Sequence, residues 1–157
     1  RFGVRNSGAS IVVEGIGDHG LEYMTGGKVV ILGDVGQNFG AGMSGGIAYV
    51  LPTNIEEFKF QCNTEMIEFE PLQNKQEVSE VRNLIIKHLE ETDSTLALNV
   101  LAKWEEMIPR FVKVVPTDYK VMLQKIEAFK EEGFKTEEAT LKAFTAVTTK
   151  SKVVVAK

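Results

Sequence analysis

A glycine-led unit occurs three times between residues 7 and 50, and it restricts the fold more than any other feature. The units begin Ser7-Gly8-Ala9-Ser10-Ile11-Val12-Val13, Thr25-Gly26-Gly27-Lys28-Val29-Val30-Ile31 and Ser44-Gly45-Gly46-Ile47-Ala48-Tyr49-Val50. Gly8, Gly26 and Gly45 are 18 and 19 residues apart. A second glycine cluster follows each of the first two runs, Gly15-x-Gly17-x-x-Gly20 and Gly33-x-x-Gly36-x-x-x-Gly40, and these units close with Met24 and Met43. A period near 20 with short β runs and no helical stretch reads as stacked coils of a β-solenoid. One coil cannot bury its own apolar face, whereas stacked coils align like residues into a continuous interior. Glycine belongs where the chain bends sharply or where a side chain would strike the next coil. Structural turns are therefore expected at Gly8, Gly15, Gly17, Gly20, Gly26, Gly27, Gly33, Gly36, Gly40, Gly45 and Gly46. Collagen is excluded, because glycine does not recur every third residue.

The grammar changes near Val50-Leu51-Pro52-Thr53-Asn54. Of 14 glycines only Gly133 lies beyond this point, and all 4 prolines do. The expected organisation is residues 1–52 as glycine-rich β coils and residues 53–157 as a strand plus helices packed on them. The fold class is mainly β with appended helices. Phe58, Phe60 and Cys62 alternate as on a strand, and strand character continues to Pro71. Asn74 with Glu77 resembles a capping box opening a helix over about 75–92, with Val78, Val81, Ile85 and Leu89 inward. Thr92-Asp93-Ser94 caps a second helix reaching about 108, where Pro109 stops it. A short strand over 110–115 follows. A third helix from Pro116-Thr117-Asp118 turns Tyr119, Met122, Leu123, Ile126 and Phe129 inward and ends at Gly133. A fourth begins at Thr136, with Leu141, Phe144 and Val147 on its inner face.

The chain of 157 residues carries 18 Lys and Arg against 22 Asp and Glu, a net charge of -4. No basic block is present, which argues against nucleic acid as a partner. The single cysteine, Cys62, excludes an internal disulfide and any metal cluster held by thiolates of this chain alone. No apolar run is long enough to span a membrane, and Arg1-Phe2-Gly3 is not the start of a signal peptide. The first residue is not Met, so a fragment or processed product is expected.

Several local patterns invite a chemical reading. Gly15-x-Gly17-x-x-Gly20 matches the dinucleotide fingerprint, but that mechanism needs a helix N-terminus directly after it. Here Gly26-Gly27 follows instead and the cluster recurs, as a coil corner would. Asp18-His19 could be an acid–base pair. No second histidine stands at metal-ligand spacing, so a structural turn is expected, with Asp18 and His19 available for contact with a neighbouring domain. His88, beside the Ile85/Leu89 stripe, is expected to be partly buried and hydrogen-bonded. Met24 and Met43 are expected in the core, and Cys62 buried and inert. Arg5-Asn6 is assigned to an asparagine ladder. No catalytic, cofactor-binding or metal-binding residue is expected.

The strings Arg5-Asn6-Ser7-Gly8-Ala9, Val13-Glu14-Gly15-x-Gly17-Asp18-His19-Gly20, Glu22-Tyr23-Met24-Thr25-Gly26-Gly27 and Gly42-Met43-Ser44-Gly45-Gly46 are long and colinear. With Trp104-Glu105-Glu106 and Phe111-Val112-Lys113-Val114 further on, they resemble the C-terminal glycine-repeat (GXGXG) domain of the glutamate synthase large subunit. Leu21 departs from a frequent Cys in that family, and a position that can be Leu cannot be a required thiolate. The resemblance implies a right-handed, single-stranded parallel β-helix over the first segment and a structural role between the amidotransferase and FMN synthase domains, in the cytoplasm. The parent reaction converts glutamine, 2-oxoglutarate and a reductant to two glutamates, using FMN and a 3Fe–4S cluster. The cluster and the cysteine nucleophile of such an enzyme need thiols this chain lacks, so no cofactor is expected here. Alternatives are a free-standing subunit of a split glutamate synthase, or the glycine-repeat β-helix subunit of a related enzyme such as formylmethanofuran dehydrogenase. A polysaccharide lyase would need clustered acids and bases, whereas those of residues 1–50 are scattered. An end lacking its further coils would expose strand edges, so a homodimer through that end is expected.

Overall fold

The computed structural model of the chain describes residues 1–154, with side chains through Thr148. Five strands form one sheet: β1 (Ser7–Val13), β2 (Thr25–Ile31), β3 (Gly45–Val50), β4 (Ile67–Pro71) and β5 (Val112–Pro116). Their order is β1-β2-β3-β5-β4. The three glycine-led strands are parallel, while β5 runs antiparallel to β3 and β4 antiparallel to β5. Helices are α1 (Ile55–Gln61), α2 (Lys75–Thr92), α3 (Thr95–Ala102), α4 (Trp104–Met107), α5 (Thr117–Glu131) and α6 (Thr136–Val154). They contribute more residues than the strands. The class is therefore mixed α/β rather than mainly β.

Register explains the core. Ile11 pairs with Val29, Val29 with Ala48, Ala48 with Val114, and Val114 with Phe69, one row across all five strands. Because side chains alternate, the row two residues on, Val13, Ile31, Val50 and Val112, faces the same way. Both rows meet Leu21, Met24, Phe39, Met43 and Phe58 in one apolar cluster. Met24 and Met43 are fully buried, as the sequence indicates. The opposite face carries Lys28, Tyr49 and Lys113. These bond to one side of α2: Lys28 to Glu80, and Lys113 Nζ to Glu77 Oε1 at 2.6 Å, with Tyr49 Oη donating to the same oxygen at 3.4 Å.

The 18- and 19-residue offsets read from the glycines are the pairing offsets of Ser10–Val13 with β2 and of Lys28–Ile31 with β3. At the strand starts an irregularity shifts the pairing by one, so that Ser7 faces Gly26 and Thr25 faces Gly45. The long connections, 14–24 and 32–44, are bonded to each other at close to the same spacing. Ile16 N donates to Asp34 O (3.0 Å), His19 N to Gln37 O (2.8 Å), Tyr23 N to Ala41 O (2.9 Å) and Gly40 N to Gly20 O (2.9 Å). The pattern continues to residues 61–63 through Phe39 N to Gln61 O and Asn63 N to Phe39 O. Left-handed backbone recurs with it. Gly3, Leu21 and Gly40 have φ of 67°, 55° and 74°, and Arg5, Tyr23 and Gly42 have 59°, 56° and 66°. A leucine held there costs about 1–2 kcal/mol locally. The buried side chain of Leu21, inside the apolar cluster, offsets that cost.

Residues 56–62 depart from the expected strand. Asn54 Oδ1 accepts from Glu56 N (2.9 Å) and Glu57 N (3.1 Å), which starts α1. A two-residue step on a helix separates faces, so Phe58 is 3% exposed and Phe60 is 89% exposed. Asn74 caps α2 as expected, through Gln76 N and Glu77 N. The expected single helix to 108 is broken at Lys103 into α3, α4 and a 3₁₀ turn at Ile108–Arg110.

The chain divides into two compact units, Arg1–Pro116 and one beginning at Thr117. In the second, α5 and α6 form a hairpin turned at Gly133 (φ 96°), with Phe129 edge-on to Phe134 and the Lys142 ammonium 3.6 Å from the Phe134 ring centre. Ala139 and Ala143 are its fully buried residues on α6. Leu141 and Phe144, expected inward, are 68% and 57% exposed. Small alanines allow the close approach that larger side chains on that face would prevent.

A glycine test follows. A Cβ at Gly33 would overlap the carbonyl oxygen of Glu14, whereas one at Gly17 meets nothing within 4 Å. Gly33→Val should lose roughly 1–3 kcal/mol in urea unfolding, and Gly17→Ala about 0.5 kcal/mol or less. Equal losses would show that close backbone approach is not what Gly33 serves.

Candidate functional site

The polar residues of the glycine-rich segment gather in two clusters. In the first, His19 Nδ1 lies 2.6 Å from Glu22 Oε1, and Asn38 Nδ2 donates to the same oxygen at 3.0 Å. Asn63 Nδ2 then donates to Asn38 Oδ1 at 3.1 Å. His19 and Asn38 both have left-handed backbone, at φ 61° and 59°, which aims their side chains at Glu22. Glu22 is buried and His19 is 43% exposed at its side chain. The neighbouring Asp18 does not join them. Its Oδ1 accepts from Gln37 N at 2.8 Å. Asp34 makes the corresponding reach to Thr53 N and Oγ1, at 2.8 and 2.9 Å. Asp18 and His19 are thus adjacent in sequence but serve separate bonds, and no acid–base pair results.

The second cluster brings Glu14, His88 and Ser94 together from β1's end, α2 and the start of α3. These residue types suggest a nucleophilic triad, but the order of the bonds is wrong. Ser94 Oγ donates to Glu14 Oε1, and His88 Nε2 bonds to that same oxygen at 3.2 Å. The carboxylate therefore sits in the middle, whereas general-base activation needs the imidazole against the hydroxyl. Ser94 Oγ also accepts from Ala97 N at 3.0 Å, capping α3. The cluster clamps the helices to the strand end. Bonds from Ser94 and then His88 hold the Glu14 carboxyl below its ordinary value of 4.5, outweighing the opposing effect of desolvation.

The expected turn glycines fall into groups. Gly26, Gly33 and Gly45 lie against the backbone of Ser7, Glu14 and Thr25, and Gly36 against Gly17 and Asp18. Gly20 and Gly40 face Ile16 and Ile67 side chains, and Gly27 and Gly46 have φ of 92° and 76°. Gly8, Gly15 and Gly17 have room for a side chain. Asn6 bonds within its own turn, to Gly8 N, Ala9 N and Ala9 O, rather than forming a ladder. The asparagine pair between neighbouring segments is Asn38 with Asn63. Cys62 is half-buried at the end of α1, its Sγ donating to Phe58 O at 3.2 Å, and burial pushes the thiol up to about 12. Among the described residues no three His, Cys, Asp or Glu are grouped to hold a metal ion, and no helix is long and apolar enough to cross a membrane.

The GXGXG motif family matches residues 1–117. The chain belongs to the GXGXG motif family. It is homologous to part of the large chain of glutamate synthase. The NADPH glutamate synthase large chain of Bacillus subtilis is 54% identical over 148 residues, 94% of this chain and 10% of that protein. The NADH glutamate synthase of Schizosaccharomyces pombe is 51% identical over 133 residues, 85% of this chain and 6% of that protein. The chloroplastic ferredoxin-dependent glutamate synthase of Spinacia oleracea is 44% identical over 116 residues, 74% of this chain and 7% of that protein. The chain thus spans about a tenth or less of these relatives. Of the two polar clusters, only Asn63, His88 and Ser94 lie outside the glycine repeats. Glu22 and Asn38 escape a search by repeat, because their separation of 16 residues does not match its period.

Glu14 supplies a pH test. Its folded pKa is depressed, so its contribution to stability is present above about 4.5 and lost as pH falls through the folded value. Glu14→Gln should therefore be less stable than the unaltered chain near pH 7, with the difference narrowing once the pH is taken well below 4.5. Urea midpoints at both pH values measure this. A constant difference would show that the carboxylate charge is not what the clamp uses.

Proposed function

We propose that this chain is a structural, interdomain part of a glutamate synthase, without a catalytic centre of its own. Residues 1–52 form coils of a parallel β-helix, and residues 53–157 supply the strand and helices appended to them. The observation that carries the reading is the bonding of connections 14–24 and 32–44 at one-repeat spacing, in a chain homologous to glutamate synthase large chains. Stacked coils require that pattern in their loops as well as in their strands. The right hand of the β-helix is carried over from the family resemblance. The eleven turn glycines, Gly8 to Gly46, are conformational and packing residues on this reading.

The parent enzyme, on the same reading, transfers the amide nitrogen of glutamine to 2-oxoglutarate. Its FMN and 3Fe–4S cluster, on the same reading, would supply the two-electron reduction. A 3Fe–4S cluster needs three thiolates, and the other common iron–sulfur clusters need four ligands. Cys62 is one thiol, bonded to a carbonyl and pushed to about 12, so the residues present do not fit that group. The Gly15-x-Gly17-x-x-Gly20 segment leads to β2 rather than to a helix, so it does not fit a dinucleotide either. The partners are the amidotransferase and FMN synthase domains, in the cytoplasm. The half-exposed His19 is placed to contact one of them, with Asp18 holding its turn. Among the described strands β1 pairs on one side only, with β2, and its first four residues are exposed. That free edge suits a further coil, or a second copy of the isolated chain in a two-fold dimer.

Mixed with the separately produced remainder of the Bacillus subtilis large chain, this chain should bind it. Alone it should carry no flavin or iron–sulfur absorbance and no glutaminase or synthase activity. Stoichiometric FMN or iron, or activity of the chain by itself, would overturn the proposal.

A further inference from the structure

We propose that a groove between the ends of β2 and β3 and helices α3 and α4 is a docking site for an apolar protein segment that carries carboxylates. The occupant belongs to another domain of the parent enzyme, so the inference rests on the proposed function and names the surface it would use.

The groove follows from the repeat. In the strand register, Glu14, Leu32 and Leu51 stand just past the ends of successive strands. At the first position His88 and Ser94 bond to Glu14. At the next two positions no such clamp covers the row, and a groove of about 440 Å³ opens there. Leu32, Leu51, Pro52, Leu96, Val100 and Met107 line it. Leu96 remains 37% exposed although it belongs to this apolar wall. The wall behind is fixed, since Asp34 accepts both the N–H and the hydroxyl of Thr53.

Charge selects the occupant. The lining includes Lys103 and Arg110 and no Asp or Glu, in a chain whose net charge is -4. Both cations are exposed. Among the described residues neither forms an ion pair; Arg110 Nη1 reaches only the Met107 thioether, at 3.6 Å. Elsewhere in this unit Lys28 pairs with Glu80, Lys59 with Glu56, and Lys113 with Glu70 and Glu77. Two unpaired cations at the rim of an apolar groove complement carboxylates flanked by apolar side chains. Lys103 stands at the break between α3 and α4 that splits the expected long helix. A free dicarboxylate would gain little from the leucine-rich wall, so a protein segment fits the surface better.

The test uses the complete 157-residue chain and, as probe, the remainder of the Bacillus subtilis large chain. The variant Lys103→Glu with Arg110→Glu should bind about tenfold or more weakly, and added salt should weaken the unaltered chain more than the variant. Lys103→Arg with Arg110→Lys should retain binding. Leu96→Asp, on an exposed site, tests the apolar wall independently and should also weaken it. Circular dichroism establishes that each variant is folded. Undiminished binding by folded variants would overturn the groove as the docking site while leaving the interdomain role intact. No binding by the unaltered chain would overturn both. Saturable chemical-shift changes at Leu96 and Met107 with 2-oxoglutarate alone would make the groove a metabolite site and also overturn the proposal.

Discussion

The backbone of a long connection between parallel strands needs hydrogen-bond partners, and here each connection finds them in the next one. Buried N–H and C=O groups are costly to leave unpaired. Parallel strands are usually joined by a helix, which satisfies its own backbone. The connections 14–24 and 32–44 contain no helix. They bond instead at a spacing of about one repeat, as Ile16 does to Asp34 and Tyr23 to Ala41. Most other features of residues 1–63 depend on this arrangement. Adjacent backbones must come close, which puts glycine at 26, 33, 36 and 45. Like residues recur in each coil, and Met24 and Met43 both lie buried in one apolar cluster. The same corner must be turned each time, which repeats left-handed backbone at Gly3, Leu21 and Gly40.

The repeat was the most legible part of the sequence. Its glycine offsets give the register of the strand ends, with a shift of one residue at the strand starts, and its β-branched runs give the strands. Capping residues were also readable: Asn74 and Ser94 start α2 and α3 where expected. The errors share a cause. Phe58-x-Phe60-x-Cys62 has the spacing of a strand, but Asn54 caps a short helix and exposes Phe60, a choice made by tertiary packing of Phe58 against Phe39 and Phe69. Leu141 and Phe144 have helical spacing, yet Ala139 and Ala143 make the inner face of α6. Hydrophobic size alone does not say which face a helix buries.

The polar clusters were legible in part. Asp18 and His19 stand out as neighbours, but their function in the fold depends on residues 19 and 3 positions away, Gln37 and Glu22. His88 and Ser94 lie 74 and 80 residues from Glu14 and share no motif with it. Their geometry resolves a chemical ambiguity that residue types leave open. A Ser, a His and a Glu are together, but the bonds centre on the carboxylate and serve to hold helices on a strand end. The same logic directs attention to surfaces. The groove beside Lys103 and Arg110 is the surface we propose for contact with the rest of the protein.

Amide hydrogen exchange tests the central claim most directly, because it reads each backbone donor separately. If the connections are held by bonds to the next repeat, the N–H groups of Ile16, His19, Tyr23 and Gly40 will exchange with protection close to that of Val29 and Val30 in β2, and they will open together with the sheet. If those four amides exchange at the rate of ordinary surface loops while β2 stays protected, the connections are not bonded in register and the stacked-coil account is wrong.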